Sequence, residues 1–264
     1  IGTGDNVLIG GLIITGDAPK TILIRARGPA LTVAGVVGAI SDTEILLFSG
    51  SDIIDRNDDW QTHENANQVP VGLQPTDSRE SVIVKTLVPG GYTAIVTGIN
   101  GEEGIGLVEI FELSNTGITK LANIATRGFV GTDDAVMIGG LVISGDENKT
   151  LLIRAKGPSL TAQGVDGALA NPEIILLSGQ TVIDSNTDWK LHARFNEIPT
   201  ELQPTDDLEA ALITELAPGP YTAIVTGTGG TTGVGIVEVF EVIPVTPPVE
   251  PSAQAFFTDN IETS

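Results

Sequence analysis

The chain has 264 residues, of which 41% are hydrophobic, and this length and composition predict globular packing with room for two ordinary domains. Asp and Glu number 34 against 13 Lys and Arg, so the net charge is -21 and binding to nucleic acid is excluded on electrostatic grounds. There is no cysteine and no apolar run of eighteen residues, which excludes disulfides and thiolate metal sites and argues against membrane insertion.

The first half of the chain consists of short apolar runs rich in β-branched residues. In chain order they are "VLIGGLIIT", "TILIRAR", "EILLFSG", "SVIVKTLV", "YTAIVTG" and "IGLVEIFEL". Turn-forming clusters such as "TGDAPK" and "VPGG" separate them, and a short helical turn is compatible with "PALTVAGVVGAI". About seven or eight strands in such a segment, without an amphipathic helix, predict a two-sheet β-sandwich.

The second half repeats the first without gaps. "LIRARGPAL" at 23–31 returns as "LIRAKGPSL" at 152–160, an offset of 129 residues that also relates the two copies of "LQPTD" and of "YTAIVTG". We therefore predict an all-β protein with two tandem β-sandwich domains of Ig-like or jelly-roll-like type. The predicted boundaries are domain 1 at 1–113, a linker strand at 114–129, domain 2 at 130–242, and a Pro-rich spacer with a C-terminal tail at 243–264.

The segment "EILLFSGSDIIDRNDDW", followed by "DSRESVIVKTLVPGGYTAIVTG", resembles the bacterial pre-peptidase C-terminal type of β-sandwich. In that family a hairpin of the form "LYDSDG…NDD" precedes a strand such as "GTYYIRV". The repeat is also similar to modules found in tandem in large secreted proteins of environmental bacteria. The resemblance implies an extracellular accessory or structural module rather than a catalytic domain.

Each repeat contains the alternation Asp-x-Asn-x-Asp, which offers hard oxygen ligands at every second position. Such ligands can surround Ca²⁺, while Asp and Asn are also ordinary residues of hairpin turns. A Trp follows where a helix-loop-helix calcium loop has Gly, which favours the turn. The candidate metal ligands are Asp55, Asn57, Asp59, Asp184, Asn186 and Asp188.

Charged residues on the predicted strands are expected to pair within each domain. Arg25 and Arg27 alternate with apolar neighbours on one predicted strand, and Glu109 and Glu112 lie on the last strand of the same repeat. Their counterparts in the second repeat are Arg154, Lys156, Glu238 and Glu241. Internal ion pairs are the expected use of these side chains, in preference to ligand binding.

The linker and the tail share a short motif. Asn-Ile-x-Thr occurs at 123–126, just before domain 2, and again at 260–263 near the end of the printed sequence. The linker segment "KLANIATRGFVG" is predicted to be an extended strand that pairs with a sandwich edge. Ile1 aligns with Val130, so domain 1 begins without the lead-in that precedes domain 2.

If the tail of one molecule supplies this lead-in to the next, the contact is head-to-tail and builds an open fibre. We therefore expect a secreted, cell-surface structural subunit of a pilus-like filament, whose only partner is itself. The predicted interface residues are Phe256, Phe257, Asn260, Ile261, Thr263 and Ile1. The alternative is an adhesive or carbohydrate-binding accessory module. No catalytic signature occurs, so an enzyme is not expected, and no cofactor is expected apart from the calcium candidate.

Overall fold

The computed structural model describes residues 1–113, 119–143 and 145–242. It confirms the all-β class, with fifteen strands in three antiparallel sheets and two short α-helices in the described part. No helix among these residues is long and apolar enough to cross a membrane.

The first repeat contains seven strands and one helix. The strands are β1 (Leu8–Thr15), β2 (Lys20–Arg27), β3 (Thr43–Ser49), β4 (Asp52–Asn57), β5 (Ser81–Leu87), β6 (Gly90–Gly98) and β7 (Leu107–Glu112). Helix α1 (Pro29–Val33) follows β2, in the segment for which a helical turn was compatible with the sequence.

The second repeat contains the matching elements, preceded by an additional strand. That strand is β8 (Lys120–Val130), the longest in the described residues, and it lies mostly within the predicted linker. The other elements are β9 (Met137–Ile143), β10 (Lys149–Lys156), α2 (Pro158–Thr161), β11 (Pro172–Ser178), β12 (Thr181–Asn186), β13 (Ala210–Leu216), β14 (Gly219–Gly227) and β15 (Gly233–Glu241).

Each repeat is a sandwich of a four-stranded and a three-stranded layer. In the first repeat β1-β6-β3-β4 packs on β5-β2-β7, and Leu12, Ile24, Leu47 and Ile83 from both layers form one buried cluster. The second repeat has the same arrangement, with β9-β14-β11-β12 packed on β13-β10-β15. The alternation of buried and partly exposed residues along β3 follows from the two-residue period of a strand.

The outer face of each three-stranded layer is covered by the segment between the fourth and fifth strands of the repeat. In the first repeat this segment forms short 3-10 turns, and Trp60, Val69 and Leu73 pack with Leu23 of β2 in a second apolar cluster. Strand β2 is therefore buried on both faces, which explains its almost continuous apolar sequence.

Strand β8 joins the two repeats into one sheet. On one side it pairs antiparallel with β1, with a register shift between Ile13 and Ile14, and on the other side with β15. The resulting eight-stranded sheet has the order β13-β10-β15-β8-β1-β6-β3-β4. The four-stranded layer of the first repeat and the three-stranded layer of the second thus continue through a single shared strand.

Candidate functional site: two uncovered strand edges

The residues shared by linker and tail lie where β8 is paired on both sides. Ile124 lies between Leu12 of β1 and Val239 of β15, and Thr126 lies between Gly10 and Val237. Asn123 is buried, and its side-chain amide donates a 3.1 Å hydrogen bond to the carbonyl of Val239. The motif Asn-Ile-x-Thr therefore occupies the part of β8 that is hydrogen-bonded between two neighbours.

Strand β8 also contributes to both apolar cores. Leu121 packs against the core of the first repeat, and Val130 is fully buried in the core of the second. An ion pair of 2.9 Å between Arg127 and Asp5 links the strand to the start of the first repeat. Backbone pairing, apolar contacts and a charge pair together make β8 the structural junction of the molecule.

The seven strands of each repeat correspond one to one, yet β8 pairs differently with the two copies. In the first repeat β8 pairs with β1. The counterpart of β1 in the second repeat is β9, which has a single neighbour, β14, among the described residues. In the second repeat β8 pairs with β15. The counterpart of β15 in the first repeat is β7, which has a single neighbour, β2, among the described residues. Within the described part of the chain, the edges of β7 and β9 are thus uncovered where the equivalent edges of β15 and β1 are paired.

The edge of β7 differs from that of β15 in length and packing. Strand β15 has nine residues and β7 has six, and Val237 of β15 is buried whereas its counterpart Val108 is partly exposed. Ile1 lies beside this edge, where it exchanges backbone hydrogen bonds of 2.7 and 2.9 Å with Gly104. The predicted interface residue Ile1 therefore takes, beside the first repeat, the position that Val130 takes opposite Gly233.

The outer edge of β5 is covered by side chains, in contrast to β7 and β9. The side-chain oxygen of Asn57 accepts the backbone N–H of Val82 at 2.9 Å, and Asn65 donates to the carbonyl of Val84 at 3.2 Å. In the second repeat Asn186 accepts the N–H of Ala211 in the same way. Such cover is one way in which proteins prevent unwanted pairing of an edge strand.

This role for Asn57 bears directly on the calcium candidates. Asp55 and Asn57 lie along β4 instead of curling around a point, and the Asn57 side-chain amide also donates to the carbonyl of Asp59 at 2.9 Å. Asp184, Asn186 and Asp188 have the same placement. Within the described residues, no three His, Cys, Asp or Glu side chains form a group that could hold a metal ion. Calcium stays a prediction that this geometry does not support.

The carboxylate of Asp55 is used within the protein. Lys85 donates to it at 2.8 Å, and His63 lies 3.3 Å from its other oxygen. Burial of this carboxyl favours its neutral form, but the hydrogen bonds from Lys85 and from the Arg56 backbone outweigh that effect and hold the pKa of Asp55 below its usual value. The second repeat keeps the His192–Asp184 contact at 3.1 Å, with Thr214 at the position of the lysine.

Two of the predicted ion pairs are confirmed, whereas Arg27 lies 3.7 Å from Glu80 and Glu112 pairs with Lys20 at 3.0 Å. Arg25 contacts Glu109 at 2.7 Å, and Arg154 contacts Glu238 at 2.6 Å. Each guanidinium also lies over a phenylalanine ring, Phe111 in the first repeat and Phe240 in the second. These arginines are therefore engaged inside their own repeat and are not available to a ligand.

The other predicted interface residues, Phe256, Phe257, Asn260, Ile261 and Thr263, lie outside the described residues.

The structure adds what sequence reasoning missed, namely the two edges that could receive a strand. No signal inside β7 or β9 distinguishes them from β15 or β1, since the repeats are nearly identical there. Only the position of β8, between β1 of the first repeat and β15 of the second, reveals which edges are uncovered among the described residues.

Comparisons with known proteins give no family for this chain. No protein-family model matches the sequence, and no curated protein matches it. Among solved structures there is a weak similarity to the crystal structure of the infectious bursal disease virus VP2 subviral particle. The TM-score is 0.17 and the identity 12%, over 91% of this chain and 69% of that chain, a level that carries no argument about fold or function.

Proposed function

We propose that the protein is a structural subunit of an extracellular, pilus-like filament, in which the tail of one subunit is inserted as a strand at the first repeat of the next. The observation that carries the proposal is the junction at β8. It pairs with an edge of each repeat, and its doubly paired residues Asn123, Ile124 and Thr126 recur in the tail.

The acceptor in this proposal is the edge of β7. Its counterpart β15 pairs with β8 along Gly233 to Phe240, so the same kind of edge already binds a strand within the chain. In the equivalent register, Ile261 of the incoming tail would lie opposite Ile110, and Thr263 opposite Val108. Ile1 pairs farther along the same edge, at Gly104.

A contact between a tail and a different surface of the next copy is heterologous. Such contacts propagate into open fibres unless the rotation between subunits closes a ring. Backbone pairing along a strand supplies affinity, and the alternate side chains supply specificity. The Pro-rich segment "IPVTPPVEP" would act as a semi-rigid spacer that limits the entropy lost on docking.

The extracellular location rests on composition and on the resemblance to secreted tandem modules. The acidic, Gly-rich and Lys-poor composition suits a secreted protein, whereas the absence of cysteine does not fix the compartment. A net charge of -21 favours solubility before assembly.

The proposal is tested by deleting residues 253–264 and imaging the product by negative-stain electron microscopy. We expect the truncated protein to melt as the full chain does before assembly and to form no fibres. The matched control keeps the length and composition of the tail but scrambles residues 257–264, and it should also fail to assemble. Fibres of normal width from the truncated protein would refute the proposal.

A further inference from the structure

We propose that the donated tail strand is held on both sides, by β9 of its own subunit as well as by β7 of the next subunit. This inference rests on the proposed function and extends it, because it assigns a second binding edge and a register to residues 257–264. The partner is thus a named segment of this chain, and the surface is the uncovered edge of β9.

Strand β9 is more exposed than its counterpart β1, because no second strand of the described residues pairs with it. Leu12 of β1, which pairs with Ile124 of β8, is 2% exposed, whereas its counterpart Leu141 is only partly buried. Val142 is 75% exposed, compared with 42% for its counterpart Ile13, and Ile138 is 54% exposed. An edge strand that exposes apolar side chains and unpaired backbone groups is a ready template for another strand.

The turn after β9 is also open where the turn after β1 is filled. A Cβ added to Gly16 would lie 2.5 Å from the hydroxyl oxygen of Thr119, just before β8. A Cβ added to the counterpart Gly145 would meet nothing within 4 Å in the described residues. The tail residue that aligns with Thr119 is Phe256. The open space beside Gly145 therefore suits the larger side chain that the tail brings to this point.

The register of the tail follows from the pairing of β8. Ile124 lies opposite Leu12, so Ile261 is assigned opposite Leu141; Ala125 lies opposite Gly11, so Glu262 is assigned opposite Gly140. On the acceptor side, the hydrogen bond from Asn123 to the Val239 carbonyl predicts one from Asn260 to the carbonyl of Ile110 in the next subunit.

The tail is long enough to reach β9 of its own subunit. In the first repeat residues 113–119 join β7 to β8, which then pairs with β1 of that same repeat. The equivalent connection from β15 to the tail strand consists of residues 242–256 and is eight residues longer. A turn that the shorter connection already makes is therefore within reach of the longer one.

The consequence is that the junction between subunits would reproduce the junction inside a subunit. Strand β8 joins a four-stranded layer of one repeat to a three-stranded layer of the next, and the tail would do the same between β9 and β7. Every junction along the fibre would then be an eight-stranded sheet with a linker strand near its centre.

The test uses engineered cysteine pairs, which is straightforward because the chain has no cysteine of its own. The calibration pair is Gly11→Cys with Ala125→Cys, since a Cβ at position 11 would lie 3.5 Å from the Ala125 Cβ, within the range of about 3.5–4.5 Å for disulfides. The matched test pair is Gly140→Cys with Glu262→Cys. A third pair, Leu107→Cys with Ser264→Cys, reports on the acceptor edge.

After mild oxidation of assembled material, denaturing gels without reductant separate the outcomes. We expect the calibration and test pairs to close within single chains and the third pair to give a ladder of linked subunits. A ladder from the third pair with a reduced Gly140/Glu262 pair would overturn this inference and leave the proposed function standing. A ladder from the Gly140/Glu262 pair would also overturn it, because the strand would come from another molecule. No ladder from the third pair would overturn both.

Discussion

Strands β1 and β9 have nearly the same sequence and the same place in their repeats, yet they differ in how much of their surface is covered. Both read as apolar residues around a Gly-Gly pair, and both have an equivalent neighbour, β6 or β14. The difference is β8, which pairs with β1 and, among the described residues, not with β9. The exposure of a strand here therefore depends on a segment outside the repeat. Two strands of nearly identical sequence can differ in whether their outer edge is paired.

Strands β7 and β15 differ in the same way, because β8 pairs with β15 and, among the described residues, not with β7. The covered strand, β15, continues for three residues at its start that have no strand counterpart in β7. An added neighbour thus lengthens the strand it pairs with and completes the burial of residues such as Val237.

The largest effect is expected from proline in the linker and in the tail. Ile124→Pro should destabilise the monomer by about 2–4 kcal/mol, because proline removes a backbone donor from a strand paired on both sides. Ile261→Pro should leave the melting temperature of the unassembled protein unchanged and abolish fibres. Thermal melts and electron microscopy of both variants check this pair, and a large loss of monomer stability from Ile261→Pro would contradict it.

The next largest effect is the difference in unfolding free energy between the two matched leucine variants. Leu12→Ala should cost about 2–5 kcal/mol, since the Leu12 side chain is buried in the core cluster of the first repeat. Leu141→Ala should cost roughly half as much in the unassembled protein, because Leu141 is only partly buried there. Denaturant unfolding of the two variants in the truncated background 1–252 measures the difference; equal costs would mean that β9 is already covered.

The matched asparagines come next. Asn123→Ala should destabilise the monomer by about 1–2 kcal/mol through loss of the buried hydrogen bond to Val239. Asn260→Ala should instead raise the critical concentration for assembly about tenfold, the equivalent of about 1.4 kcal/mol. Light scattering over a concentration series gives that value, and an unchanged critical concentration would show that Asn260 makes no such bond.

The smallest effect is expected from removing the charge of Glu262, a tail residue whose counterpart in the linker is the uncharged Ala125. Glu262 replaces Ala125, and the register places it opposite Glu109 of the acceptor, so two like charges would face each other across the junction. Glu262→Ala should strengthen assembly by about two- to fivefold, and the gain should shrink in concentrated salt because of screening. Weaker assembly of this variant would show that the register is wrong.

Much of the fold could be predicted from the sequence because local patterns and the repeat agreed. Runs such as "TILIRAR" have the two-residue period and β-branched content of strands, and the constant offset of 129 residues carried each assignment to the second copy. The pairing of Arg25 with Glu109 followed from their positions on predicted strands and is confirmed at 2.7 Å.

The role of Asp55 to Asp59 was harder to predict, because the same residues suit a turn, an ion site or a strand. The segment "DIIDRN" was not recognised as β4, although its apolar pair and its position in the repeat were available. The use of Asn57 to cover β5 depends on Val82, which is distant in sequence. The edges β7 and β9 were missed for a similar reason, since what distinguishes them is the path of β8 and not their own residues.

The most direct test of strand donation is a helical reconstruction of filaments grown from the full chain by electron cryomicroscopy, at a resolution that separates strands. The account predicts density for one extended strand between β9 of each subunit and β7 of the next, with side chains that fit Asn260, Ile261 and Thr263. It also predicts that the junctions within and between subunits superimpose. Filaments held by other surfaces, with β7 and β9 left uncovered, would contradict it.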